Sequence, residues 1–133
     1  MVVYLSGGIY KDNKEATDEW RDQARTLLHT RTIDPCRGRA LYDPAVFTTE
    51  EIVTRDKLDI QKADLMLVWG NPVGEHLSIG TWMECEYAHA NSRPIVLVSS
   101  DHRVRNHPWI QNYCVKVFFK IEDACTYINS FWV

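Results

Sequence analysis

The stretch HLSIGTWMECEYAHA, residues 76 to 90, places two carboxylates inside a helical pattern that follows a Ser-Ile-Gly-Thr loop. At about 100° per residue, Thr81, Glu84 and Ala88 share one helix face, and Glu86 lies about 200° around from Glu84. Only one of the two acids can therefore enter a cleft. A carboxylate there is either an ordinary residue near a helix start, favoured by the helix dipole, or a reactive group held at the mouth of a site. Asp56 poses the same alternative. In RDKLDIQKADL it forms a stripe with Ile60 and Ala63 that faces the sheet, with Asp59 nearer solvent, and Asp56 is then either a solvated charge or a second acid at the cleft. Gly7 and Gly8 close the first apolar run, where glycine permits either a tight turn or close approach of backbone to a ligand.

These residues need elements to hold them. MVVYLSG reads as a buried strand, and KEATDEWRDQARTLLH then spaces Ala16, Trp20, Ala24, Leu27 and Leu28 on one helix face. RTIDP is a short second strand closed by Asp34-Pro35. The polar stretch CRGRALYDPAVF reads as a long functional loop. Thr48 and Glu51 form a capping box opening a helix through EEIVTRDKLDIQKA. DLMLVWGN is a central strand, and a helix over 80 to 91 precedes a further strand, RPIVLVSS. DHRVRNHPWIQN reads as a loop, CVKVFFK as the last strand, and IEDACTYINSF as a closing helix.

Strands that alternate with helices, with no hairpin between them, predict an α/β protein: a flavodoxin-like three-layer sandwich around a five-stranded parallel sheet of order 2-1-3-4-5. Ligands in such folds gather at the carboxyl edge of the sheet near the switch point. That edge comprises Ser6 to Tyr10 (with Gly7, Gly8 and Ile9), Asp34 to Arg39, Trp69 to Gly80 (with Ser78), and Ser99 onward.

The chain's 133 residues, 45% of them hydrophobic, fit a single domain over 1–133 with its own core. Cys36, Cys85, Cys114 and Cys125 are widely spaced, which argues against a zinc site or disulfide framework and for a reduced, cytoplasmic setting. The histidines and Asp64 show no metal-ligand spacing, and neither a metal nor a cofactor is expected. A net charge of −3 with scattered basic residues disfavours nucleic acid as partner, and no apolar run approaches the roughly 20 residues needed to span a membrane. The expected partner is a small molecule.

Four segments in this order, VYLSGGIY, RDKLDIQKADLMLVW, SIGTWMECEYAHANSRPIVLV and NHPWI, resemble the nucleoside 2-deoxyribosyltransferase family, including its small phage-type members and the related nucleoside 5'-monophosphate N-glycosidases. The second carries the D-x-x-x-I-x-x-A-D arrangement on Asp56, Ile60 and Ala63-Asp64, and the third the G-T-x-x-E-x-x-x-A form on Gly80, Thr81, Glu84 and Ala88. The resemblance implies that Glu84 attacks the anomeric carbon of a nucleoside or nucleotide, that Tyr4 orients Glu84, and that Asp56 faces the base. The sugar then passes to another base or to water. It further implies a homodimer or higher homo-oligomer, with His107 in NHPWI reaching a partner subunit's site. Ser78 stands where many transferases carry an acid and the glycosidases carry Ser. Ser78 and the N–H groups of Ile79 to Thr81 would welcome a 5'-phosphate, whereas Gly8 and Tyr10 replace the glycosidases' Ser and Arg. A nucleotide-binding or sensing module that has lost turnover is the competing expectation.

Overall fold

The computed structural model describes residues 1–38, 46–76 and 78–133. Five strands run in parallel: β1 (Val2–Gly7), β2 (Arg31–Ile33), β3 (Leu65–Trp69), β4 (Ile95–Val98) and β5 (Lys116–Phe118), in the order β2-β1-β3-β4-β5. The helices are α1 (Lys14–Leu27), α2 (Thr49–Lys62), α3 (Ile79–Ala90), α4 (His102–Arg105), α5 (Pro108–Tyr113) and α6 (Ile121–Tyr127), the last continuing as a π-helical turn over Ile128–Trp132. This is the expected sheet order, covered by helices on both faces.

The period of two along each strand sorts the core into two layers. Val3 and Leu5 of β1, Leu65 and Leu67 of β3, and Val96 and Val98 of β4 face Trp20, Ala24 and Leu28 of α1 and Ile121, Ala124 and Ile128 near the carboxyl end. Tyr4, Met66, Val68, Ile95 and Leu97 face the opposite way, against Ile60 and Ala63 at the end of α2, Cys85 and Ala88 of α3, and Val104 and Ile110. The parity of β1 thus sends Tyr4, and Ser6 two residues on, toward the side occupied by α3. In register, Tyr4 lies beside Met66, Ser6 beside Val68 and Gly7 beside Trp69, so β1 and β3 end together.

The capping box is formed: the Thr48 side chain accepts from Glu51 N–H, and the Glu51 side chain accepts from Thr48 N–H. Two expectations are corrected. Asp59 does not lie toward solvent. It is buried, with one carboxylate oxygen 2.8 Å from Arg37 and the Arg55 guanidinium 3.8 Å away. DHRVRNHPWIQN is not a loop but carries α4 and α5. Asp101 accepts from Arg103 N–H at 2.8 Å to start the first, and His107 with Pro108 opens the second. Proline fits a first helical position, where its missing N–H has no partner to lose. Helix α3 starts at Ile79, so Glu84 falls beyond the first turn, where the dipole's hold on an acid has faded. Of the expected loop CRGRALYDPAVF, residues 39–45 lie outside those described, and 35–38 form a turn.

Candidate active site

Glu84 points at the sheet, and β1 supplies its partners. The Tyr4 hydroxyl donates a hydrogen bond to Glu84 Oε2, and the Ser6 hydroxyl donates to Oε1 at 3.3 Å. Tyr4 and Ser6 are wholly buried, Tyr4 flanked by Ile33 of β2 and Met66 of β3 and Ser6 paired with Val68 of β3, so neither donor can swing away without disturbing the sheet. Burial of the carboxylate is the main influence on its acidity and pushes its pKa up to about 7. The Tyr4 hydrogen bond opposes this, the nearby negative charge of Asp56 adds to it, and Ser6 and the Arg21 guanidinium oppose it. A carboxylate so placed is poised between acid and base near neutral pH.

Asp56 reaches this place from α2, half-buried. Its negative charge acts on Glu84 and helps to raise that carboxyl's pKa. Glu86, by contrast, is exposed and turns to Tyr113, which it holds at a pKa of about 12 by accepting its hydroxyl proton in a hydrogen bond. Of the two acids in MECE it is Glu84 that faces the sheet's carboxyl edge.

A narrow crevice at that edge gathers Gly8, Trp69, Ser78 and Thr81, four of the residues expected there, with Tyr10 and Asn71. Gly7 has a steric reason to be glycine: a Cβ there would stand 2.6 Å from the Trp20 ring. Trp20 in turn stacks on Trp69, ring centres 5.7 Å apart and planes 7° from parallel. A Cβ on Gly8 would meet the Tyr10 hydroxyl at 2.4 Å, so the double glycine lets two aromatic side chains close on the turn. Ser78 is the residue before α3, yet its hydroxyl caps no helix N–H. It instead accepts from the Thr81 hydroxyl at 2.7 Å. Gly80, the second residue of α3, has open space where a side chain would project, and Ile9 is exposed beside the turn.

Two further expected residues have other partners within the chain. Asp34 Oδ1 accepts from Cys36 N–H at 2.8 Å and lies 3.6 Å from Arg21 Nε, while Oδ2 pairs with Arg25. Its carboxylate is thus engaged by α1 and its own turn. His107 does not approach Glu84 of its own chain. It sits at the start of α5, where its Nδ1 accepts from Trp109 N–H at 3.3 Å, and it lines a second cavity of about 470 Å³ with Met83, Trp109, Ile110, Tyr113 and Trp82, the last of which also borders the crevice.

The sequence reading gave no role to Ser6 or to Arg21. Ser6 was available from the strand period, since it shares Tyr4's face. Arg21 had no such signal, because an arginine beside Trp20 on an amphipathic helix ordinarily marks the polar boundary.

No family model matches the chain, and no curated protein matches it. Solved structures do. A 2-deoxyribosyltransferase from Bacillus psychrosaccharolyticus superposes with a TM-score of 0.75 at 19% identity, covering 96% of this chain and 92% of its own. A 2-deoxyribosyltransferase from Leishmania mexicana gives 0.67 at 17%, covering 99% of both chains. The CMP N-glycosidase of Clostridium botulinum gives 0.62 at 14%, covering 98% of this chain and all (100%) of its own. The chain shares its fold, over nearly its whole length, with these three enzymes.

Proposed function

We propose that this chain is a member of the nucleoside 2-deoxyribosyltransferase family and breaks the N-glycosidic bond of a nucleoside or its 5'-monophosphate, with Glu84 as nucleophile. The observation that carries the reading is the pairing of Glu84 with Tyr4 and Ser6 at the carboxyl edge of β1. Glu84 attacks the anomeric carbon as the carbon–nitrogen bond breaks and the electron pair leaves with the base. Asp56, facing the base, shares or donates the proton that lets it depart neutral. The sugar is left as an ester on Glu84, and a second base or water then attacks that carbon and frees the carboxylate. The two donors fix which carboxylate lone pairs remain for attack, a positional constraint that a mere binding module does not require.

At the far end of the sugar, Ser78 and the first N–H groups of α3 suit a 5'-phosphate. The first turn of α3 holds no acid to compete, and the Ser78 hydroxyl is not spent on capping. His107 belongs in this reading to a neighbouring subunit. The cavity it lines, with Met83 and Trp109 each about two-thirds exposed (67% and 66%), offers the apolar surface for a homo-oligomer. Incubation with a panel of nucleosides and 5'-monophosphates, with and without a free acceptor base, tests the proposal. Chromatography should find released base or exchanged nucleoside, and no turnover across the whole panel rejects it.

A further inference from the structure

We propose that Arg21 is a positioning residue for the Glu84 site, its buried guanidinium tying the Gly7-Gly8 turn to α1 and to Asp34 while placing a fixed positive charge behind Glu84. The inference rests on the reading of Glu84 as the nucleophile. Arg21 is wholly buried (0% exposed), and among the described residues it is the bulkiest side chain that is. Its terminal nitrogens donate to Gly7 O at 2.8 Å, to Gly8 O at 3.4 Å and to Thr17 O one turn earlier. Its Cζ lies 4.6 Å from the centre of the Trp20 ring, and Nε lies 3.6 Å from Asp34 Oδ1 without a hydrogen bond among the described residues.

Stability alone does not account for such a group. Burying a cation costs several kcal/mol (order of magnitude), and a well-packed apolar residue commonly serves a core as well or better. What the guanidinium does, and an apolar side chain cannot, is hold two successive carbonyls at the end of β1. Those carbonyls belong to the turn that follows Ser6, the donor to Glu84, and the planar fork fits the two together where a lysine has one nitrogen. The switch point between β1 and β3, where this fold places its ligands, is thus pinned from the α1 side.

The charge reaches Glu84 as well. The groups that act on that carboxylate are Tyr4 and Ser6 from β1, Asp56 from α2 and Arg21 from α1, with the Cys85 thiol beside it in α3. Among the described residues Arg21 is the one cation of this set, and it lowers the Glu84 pKa against burial and Asp56. Asp34 sets the opposite charge 3.6 Å from Arg21 Nε.

The experiment follows the Glu84 carboxyl by 13C NMR titration of the full chain, with the signal assigned by its loss in Glu84→Gln, alongside the pH profile of kcat/KM for base release. Arg21→Met should raise the Glu84 midpoint by about half a pH unit or more, the scale of one neighbouring charge. Arg21→Lys should hold the midpoint near wild type and lower kcat, because the charge stays and the fork is lost. Asp34→Asn should move the midpoint the opposite way, downward. A purely structural arginine predicts equal midpoints in all folded variants, and that result overturns the proposal. Where Arg21→Met fails to fold by circular dichroism, the sign of the Asp34→Asn shift decides. Absence of base release by the wild type rejects the proposed activity, while the titration still decides whether Arg21 sets the charge at Glu84.

Discussion

Tyr4 and Glu84, eighty positions apart in the chain, are joined by a hydrogen bond from the phenol to Oε2 that couples the first strand to the third helix. A fully buried donor on a central strand cannot follow a moving partner, so the carboxylate is held where β1 holds it.

Glu84→Gln should abolish base release, with kcat falling by at least about a thousandfold, the scale expected when a nucleophile is lost. Glu86→Ala, on the other side of the helix, should retain wild-type turnover. A 2-fluoro sugar substrate, which slows the second step, should leave an adduct that peptide mass spectrometry maps to Glu84. An adduct on Asp56 reverses the two roles.

Glu84 acts as a carboxylate, so kcat/KM should rise with pH through about 7. In Tyr4→Phe the hydrogen bond that favours the charged form is gone, and the rise should move to higher pH. Stability runs the other way. The folded pKa lies above the ordinary 4.5, so the unfolded chain releases this proton first, and the group's contribution declines as pH climbs from about 4.5 to about 7. Glu84→Gln should therefore unfold at a higher temperature than wild type at pH 8, by an effect of up to about 3 kcal/mol, with the difference shrinking toward pH 4. Calorimetry at the two pH values checks the sign.

The wild type should prefer a 5'-monophosphate to the matching nucleoside, and Ser78→Asp should reverse the preference by setting a negative charge beside the phosphate. A charge-assisted hydrogen bond is worth about 1.5–3 kcal/mol, or roughly tenfold to a hundredfold in kcat/KM at about 1.4 kcal/mol per decade. Equal kcat/KM for both substrates in the wild type removes the phosphate from the proposal and leaves the plain transferase.

Trp109→Asp should dissociate the oligomer and depress activity together. The ring is 66% exposed on α5 beside the apolar cavity, and a carboxylate there cannot be buried without cost. Light scattering at assay concentration reads the mass. A fully active wild-type monomer would falsify the assignment of His107 to a neighbour's site.

The sheet was legible in the sequence because β1, β3 and β4 are short apolar runs bounded by polar or glycine-rich turns, and because helical patterns rather than hairpin turns separate the strands. Its order required the rule for parallel crossovers as well. Thr48 and Glu51 announced α2 by a pattern local to four residues. Helices α4 and α5 were missed because four and six residues are too few to show a period, although Asp101 and His107-Pro108 are sound starting signals. Asp59 was misplaced because its burial depends on Arg37, a partner from the turn after β2 that helical arithmetic within α2 does not see. The helix face of Glu84 could be computed from spacing, but its choice over Glu86 needed Tyr4, which only the sheet brings near. Asp34 stood at the expected edge, yet its engagement by Arg21 and Arg25 is a matter of packing between α1 and β2.

The stacked indoles of Trp20 and Trp69 give the protein an optical reporter of its own. Trp69 lines the crevice on one side and meets Trp20 on the other, with planes 7° apart, so the pair behaves as a coupled chromophore whose absorption and emission depend on their spacing. A molecule settling against Trp69 perturbs the pair directly, and occupancy of the crevice becomes readable in unlabelled protein by ultraviolet fluorescence, with Trp20→Phe as the control that uncouples the signal.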